Sequence, residues 1–160
     1  MSIICLIDTS IFLNIINVPN RNQNRESVLQ DFQTYIESDC TFLLPMATVL
    51  ETGNHIAQNG NGEIRRKIAI RFVEQVKAAF NGTAPWYPTE FPNTLEILRW
   101  IDQFPDQAGK NKTPHKLEGT SFGDMSIIQE FHKSCTRFPM SEVFIWSLDS
   151  ELQSYHQKAK

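Results

Sequence analysis

The sequence predicts a three-layer α/β/α domain around a mainly parallel sheet. Three observations carry that expectation. Continuously apolar runs at 3–7 and 143–146 suit strands buried on both faces, which is the pattern of parallel sheets. Segments with apolar residues at helical spacing lie between them, as at Val28, Leu29, Phe32 and Ile36. Strand and helix alternate along 160 residues, a length that fits one domain, taken as 1–160.

The elements follow in order. Ile3-Ile4-Cys5-Leu6-Ile7 is rich in β-branched residues and reads as the first strand; Asp8-Thr9-Ser10 then caps a helix over 11–16. An amphipathic helix is expected over 25–37, a short strand over 41–44, and a helix over 46–58 that starts after Pro45 and stops at Asn59-Gly60-Asn61-Gly62. Ile64, Ile68, Phe72 and Val76 mark one side of a long helix over 63–80. Pro85, Pro88 and Pro92 make 81–92 loop, followed by a short helix over 93–104. The polar stretch 105–119 reads as the most mobile part, so 81–119 as a whole is a loop-rich insertion. A helix over 121–135, a last strand over 143–146 and a closing helix over 149–157 complete the chain.

Composition narrows the function classes. The chain is 41% hydrophobic and 21% charged, as ordinary globular proteins are. Its net charge of −3 argues against coating nucleic acid through overall charge, though not against a local nucleic-acid site. Cys5, Cys40 and Cys135 show no zinc spacing and read as free thiols in a reducing cytosol. Asp8 interrupts the apolar N-terminal run, so neither a signal peptide nor a membrane span is expected, and the expected location is cytoplasmic.

In a parallel α/β sheet the site forms beyond the carboxyl ends of the strands. Asp8 directly follows the first strand, Glu51 lies in the second turn of the helix after the second, Asp124 opens the helix near Ser121, and Asp149 follows the last strand. Asp8 and Asp149 also suit helix caps, and Glu51 suits a solvated helix face. Asp124 differs, because it shares a helical face with Ile128, Phe131 and Cys135, where an unpaired carboxylate is expensive. Two carboxylates about 5 Å apart repel by roughly 3 kcal/mol at an effective dielectric of about 20. A converging cluster therefore needs protonation or a bound cation, and all-oxygen ligation suits Mg²⁺ or Mn²⁺.

Ile-Asp-Thr-Ser-Ile-Phe-Leu (7–13), Pro-x-x-x-Val-Leu-Glu-Thr (45–52), Thr-Ser-Phe-Gly-Asp (120–124) and Trp-Ser-Leu-Asp (146–149) occur in the order and spacing of a PIN domain. The chain thus resembles that family of metal-dependent nucleases, which includes the VapC-like toxins of toxin–antitoxin pairs, across nearly its whole length. The resemblance implies a PIN-like fold and a divalent-metal-dependent endoribonuclease that hydrolyses phosphodiester bonds with a metal-activated water. It implies that Asp8, Glu51, Asp124 and Asp149 are both catalytic and metal-binding. Asp8 and Asp124 would hold the main Mg²⁺ or Mn²⁺ ion, Glu51 would reach it through water or bind a second, and Asp149 would complete the pocket. Thr9, or Ser10, would hydrogen-bond the acids or a substrate phosphate, with Ser121 as further polar support. By helical position His55, one turn beyond Glu51, and Asn54 could also face the site, although His55 suits a surface or packing role better. The implied partners are an RNA substrate and an antitoxin protein. The middle of the chain, 81–119, is longer and richer in Pro and Trp than in a small toxin, a departure that bears on the toxin role more than on the nuclease. The alternative is a non-catalytic PIN-like binding module acting through its aromatic loop.

Other constellations are weaker. Asp8-Thr9-Ser10 is similar to the Asp-x-Asp-x-Thr start of haloacid-dehalogenase phosphatases, but Ser10 replaces that family's general acid. No phosphate loop, dinucleotide fingerprint or nucleophile elbow occurs. Bases gather at Arg65, Arg66, Lys67, Arg71 and Lys77 and at Lys110, Lys112 and Lys116. They form either a solvated face or a phosphate track, with Arg65, Arg66, Lys110, Lys112 and Lys116 as candidate substrate contacts. Trp86, Tyr87 and Trp100 suit packing, base stacking, or docking of a partner or second copy as a homodimer.

Overall fold

Period-two alternation makes Ile3–Ile7 (β1) the central strand, because its side chains serve both faces of the sheet. Cys5 and Ile7 enter one core cluster, Ile4 and Leu6 the other. The structure, a computed structural model, describes residues 2–160. The chain continues as α1 (Thr9–Ile15), α2 (Arg25–Glu37), β2 (Thr41–Leu44), α3 (Met46–Ala57), α4 (Gly62–Phe80), β3 (Trp86–Pro88), α5 (Thr94–Gly109), α6 (Phe122–Arg137), β4 (Glu142–Trp146), α7 (Ser150–Gln153) and β5 (His156–Gln157).

Five strands form one sheet in the order β3-β2-β1-β4-β5. All neighbours are parallel except β4 and β5. The first core cluster joins one face of the sheet to side chains of α1 through α4 and holds Phe12, Phe42, Trp86 and Trp146. The second joins the other face to α6 and α7 through Ile127, Phe131, Val143 and Leu152. This mixed α/β architecture with a mainly parallel sheet is the expected one. Because β2 and β4 flank β1 on opposite sides, the chain reverses its winding at β1, and the crevice beyond that strand's carboxyl end is where such folds place a site.

Three elements depart from expectation. Trp86–Pro88 is an edge strand inside the segment read as loop, in register with Phe42–Leu44. Pro88 is tolerated there because an edge strand leaves one row of N–H groups without a ladder partner. Its Trp86 meets Phe12 edge-on at 5.6 Å and is a core residue. Helix α5 continues past Pro105 to Gly109, held by buried Trp100 and by Phe104 against Phe122 at 5.3 Å. The loop-rich insertion at 81–119 therefore contains a strand and a long helix. The closing helix shrinks to one turn, because His156 and Gln157 pair with Phe144 and Val143 instead.

Helix α6 buries Glu130 beside Lys133, whose ammonium lies 3.5 Å from it and 2.9 Å from Glu96. Burial pushes the Glu130 carboxyl up, with Lys133 opposing. A raised folded-state pKa means that stability is lost as pH rises from the ordinary glutamate value toward the folded one. Glu130→Gln is therefore expected to gain stability relative to wild type between pH 4 and pH 8. Denaturant midpoints at the two pH values check this, and a constant difference would refute it.

Among the described residues, no helix is long and apolar enough to cross a membrane.

Candidate metal centre

Asp8 begins where β1 ends. Its amide donates to the Trp146 carbonyl at 3.0 Å, and its carbonyl accepts from Ile11 and Phe12, so the strand pairing and the first turn of α1 fix its backbone together. Oδ2 accepts from the Ser10 hydroxyl at 2.7 Å, the Ser147 hydroxyl at 2.7 Å and the Ser10 amide at 3.3 Å. The carboxylate is thus buried but oriented by three donors.

Glu51 projects from the second turn of α3, where its Oε2 accepts from the Thr9 hydroxyl at 2.9 Å. Burial raises its pKa, the Thr9 hydrogen bond opposes, and the Asp8 carboxylate adds to the rise. Gly123 of α6 faces it so closely that any Cβ there would overlap Glu51 Oε1. The glycine is what lets two helices meet at the acid. Gly123→Ala is expected to push the flexible Glu51 side chain off Thr9 with little change in melting temperature. A crystal structure of the variant and its melting curve check both halves.

Asp124 lies in the first turn of α6, with Ser121 as N-cap accepting from the Asp124 amide at 3.1 Å. Burial, then the Asp8 and Glu51 carboxylates, push its carboxyl up to about 7, with Lys112 opposing and Asp149 adding. Asp149 caps α7, its Oδ1 accepting from the Glu151 amide at 2.9 Å. Its Oδ2 meets Lys116 Nζ at 3.2 Å and Lys112 Nζ at 3.3 Å. Burial works to raise this carboxyl, but the two ammonium groups and the backbone donor outweigh it and hold it below the ordinary range.

The four acids, from four separate stretches of sequence, line one cleft of about 400 Å³. Thr9 and Ser10 stand on its wall with Asn14 and His55. Asn54 is exposed and does not line the cleft: α3 turns its neighbour His55 inward instead, with a buried Nδ1 that has no hydrogen-bond partner. Arg65 and Arg66 do not line it either, because α4 packs over the first core cluster and Arg65 is tied to the Asn59 carbonyl. Lys110 is exposed, whereas Lys112 and Lys116 reach the acids. Trp86 and Trp100 are buried, so only Tyr87 of those three aromatics stands largely free. Ser147 was not singled out as a partner of Asp8. Its signal lay in Trp-Ser-Leu-Asp, whose serine is one residue beyond β4.

The donor set suits a hard divalent cation in kind, being oxygen only; burial first, and the neighbouring carboxylates after it, raise the carboxyls of Glu51 and Asp124. Among the described residues no three His, Cys, Asp or Glu side chains are drawn into a ligand array. The Asp8, Glu51 and Asp149 carboxylates take hydroxyl and ammonium partners.

No protein-family model matches the chain, and no curated protein matches it. Among solved structures, FitAcB from Neisseria gonorrhoeae is similar, with a TM-score of 0.54 and 19% identity over 94% of this chain and 91% of that one. The likeness is one of fold, and it extends over nearly all of both chains.

Proposed function

We propose that the chain is a divalent-metal-dependent endoribonuclease of the PIN kind. The supporting observation is the cleft itself: Asp8, Glu51, Asp124 and Asp149 come from four distant segments and line one crevice beyond the carboxyl end of the central strand. Asp8 and Asp124 would hold the main ion, Glu51 would act through water or at a second ion, and Asp149 would close the pocket. When bound, Mg²⁺ or Mn²⁺ supplies Lewis acidity, lowering the pKa of water and neutralising charge on the phosphoryl group. The chain's own groups do the rest. Ser10 and Ser147 hold the Asp8 carboxylate in one orientation, and Thr9 does so for Glu51.

The test is cleavage of single-stranded and structured RNA, with a DNA arm, in Mn²⁺ by wild type, Asp8→Asn and Asp124→Asn. Equal activity in all three overturns the proposal. The toxin role of a toxin–antitoxin pair is a further part of it, tested by whether expression arrests growth only with the acids intact. An antitoxin, or a second copy of the chain, would find an apolar stripe on α5 at Leu95, Leu98 and Ile101, all exposed. One observation favours the non-catalytic reading: Lys112 already pairs with two of the acids. Metal binding without cleavage of any nucleic acid would establish that alternative.

A further inference from the structure

Lys112 sits on the segment between α5 and α6, in a stretch read from sequence as a solvated charge run or phosphate track. Its side chain is only 9% exposed. The ammonium lies 3.1 Å from Glu118, 3.3 Å from Asp149 and 4.0 Å from Asp124, and Lys116 adds a second contact to Asp149 at 3.2 Å. Together the two lysines bring two positive charges to the acid cleft, the same charge as one divalent ion.

We propose that Lys112, assisted by Lys116, is an internal counter-ion of the acid cleft that competes with the divalent cation, so that ion binding releases the loop carrying both lysines. The proposal rests on the metal-site reading of those acids. Two groups of observations support it. The ammonium contacts fall on two of the proposed ligands, so the lysines and a cation draw on the same negative charge, and like charges cannot share it without repulsion. The loop is also weakly held apart from these ion pairs. Leu117 is 93% exposed, and its backbone contacts are few: the Lys112 amide to the Glu118 carbonyl at 2.9 Å, the Lys116 amide to Thr113 at 3.3 Å and the Thr120 amide to Gln107 at 3.3 Å. Its far end is anchored at Gly119, where any Cβ would overlap the Ala108 carbonyl, so displacement is confined to the residues that carry the lysines.

The experiment is calorimetric titration of Mn²⁺ into the metal-free full chain, comparing wild type, Lys112→Gln and Lys112→Arg. It is paired with amide hydrogen exchange across 110–120 with and without Mg²⁺. Lys112→Gln is expected to bind Mn²⁺ about tenfold more tightly, since it removes one competing charge, while Lys112→Arg stays within about threefold of wild type. Mg²⁺ is expected to speed exchange of the Lys112 and Lys116 amides in the wild type. Binding by wild type with equal or weaker binding by Lys112→Gln overturns the competition and leaves the metal site standing. Slower loop exchange with Mg²⁺ does the same. No binding by any of the three chains overturns the site and the proposal together. Thermal unfolding of each variant confirms that the core is intact, as expected for a loop residue outside both core clusters.

Discussion

Asp124→Asn is expected to lower Mn²⁺-dependent RNA cleavage by about 10³-fold while making the metal-free protein more stable at neutral pH. The two effects have one cause. Asp124 is crowded by burial and by the Asp8 and Glu51 carboxylates, which push its carboxyl up to about 7 from an ordinary 3.8. In the unfolded chain it ionises near 3.8, so wild-type stability without metal falls as pH rises from there to about 7, and stays lowered above. Asparagine removes the charge with nearly the same shape, giving a gain on the order of 2 kcal/mol at pH 8 and close to none at pH 3.5. On the metal-site proposal divalent ions reverse the ranking, since they would bind the folded wild type and would lose a ligand in the variant. Melting curves at both pH values, with and without Mn²⁺, check the sign. Asp8→Asn is expected to lose as much activity without the gain in stability, because its carboxylate already has three donors. A variant that lost activity and stability together would show Asp124 to be structural.

Trp146→Ala is expected to cost about 4 kcal/mol, a large share of the 5–15 kcal/mol by which domains of this kind are stable. Trp146 is the last residue of β4 and is 5% exposed. It stacks on Phe32 at 6.1 Å with planes 12° apart, and meets Tyr35 edge-on at 5.1 Å and Phe42 at 6.3 Å. No neighbour can fill the space left by the indole without leaving its own contacts. Its carbonyl also receives the Asp8 amide, and Ser147 follows it, so loosening β4 loosens Asp8. Denaturant unfolding gives the energy. The cleavage rate at a temperature where the variant is folded then separates lost stability from a displaced carboxylate.

The legible parts were those where a local rule and the tertiary context agreed. Ile3–Ile7 is apolar at every position because both faces of its sheet are covered, and that pattern is visible without knowing what covers them. Asp8, Asn61, Asn93, Ser121 and Asp149 all cap helices, as their short polar side chains predict. Elsewhere local rules were overridden. Trp86 and Tyr87, two residues between prolines, are too few to show a strand pattern, yet Trp86 enters a core built by α1 and α2 and brings β3 onto the sheet edge. Pro105 signals a helix end, but Trp100 and Phe104 pack α5 against α6 strongly enough to carry it through. His156 and Gln157 are neutral in propensity, and the open edge of β4 decides their conformation.

The candidate site divides in the same way. Sequence alone determined which carboxylates to look for, because strand ends and helix starts are local features and each acid stands at one. It also determined that their company would need protonation or a cation, since repulsion among carboxylates is independent of fold. Tertiary structure decided which cation is at hand. Lys110, Lys112 and Lys116 are indistinguishable as a charge run, and only the path of the loop brings Lys112 and Lys116 to Asp149 while leaving Lys110 exposed. It also decided that His55 and not Asn54 faces the cleft, and that Gly123 makes room for Glu51. Periodicity and capping act over a few residues and are written in the chain. Distances between groups 37 positions apart, as Lys112 and Asp149 are, exist only once the sheet has ordered the elements that carry them.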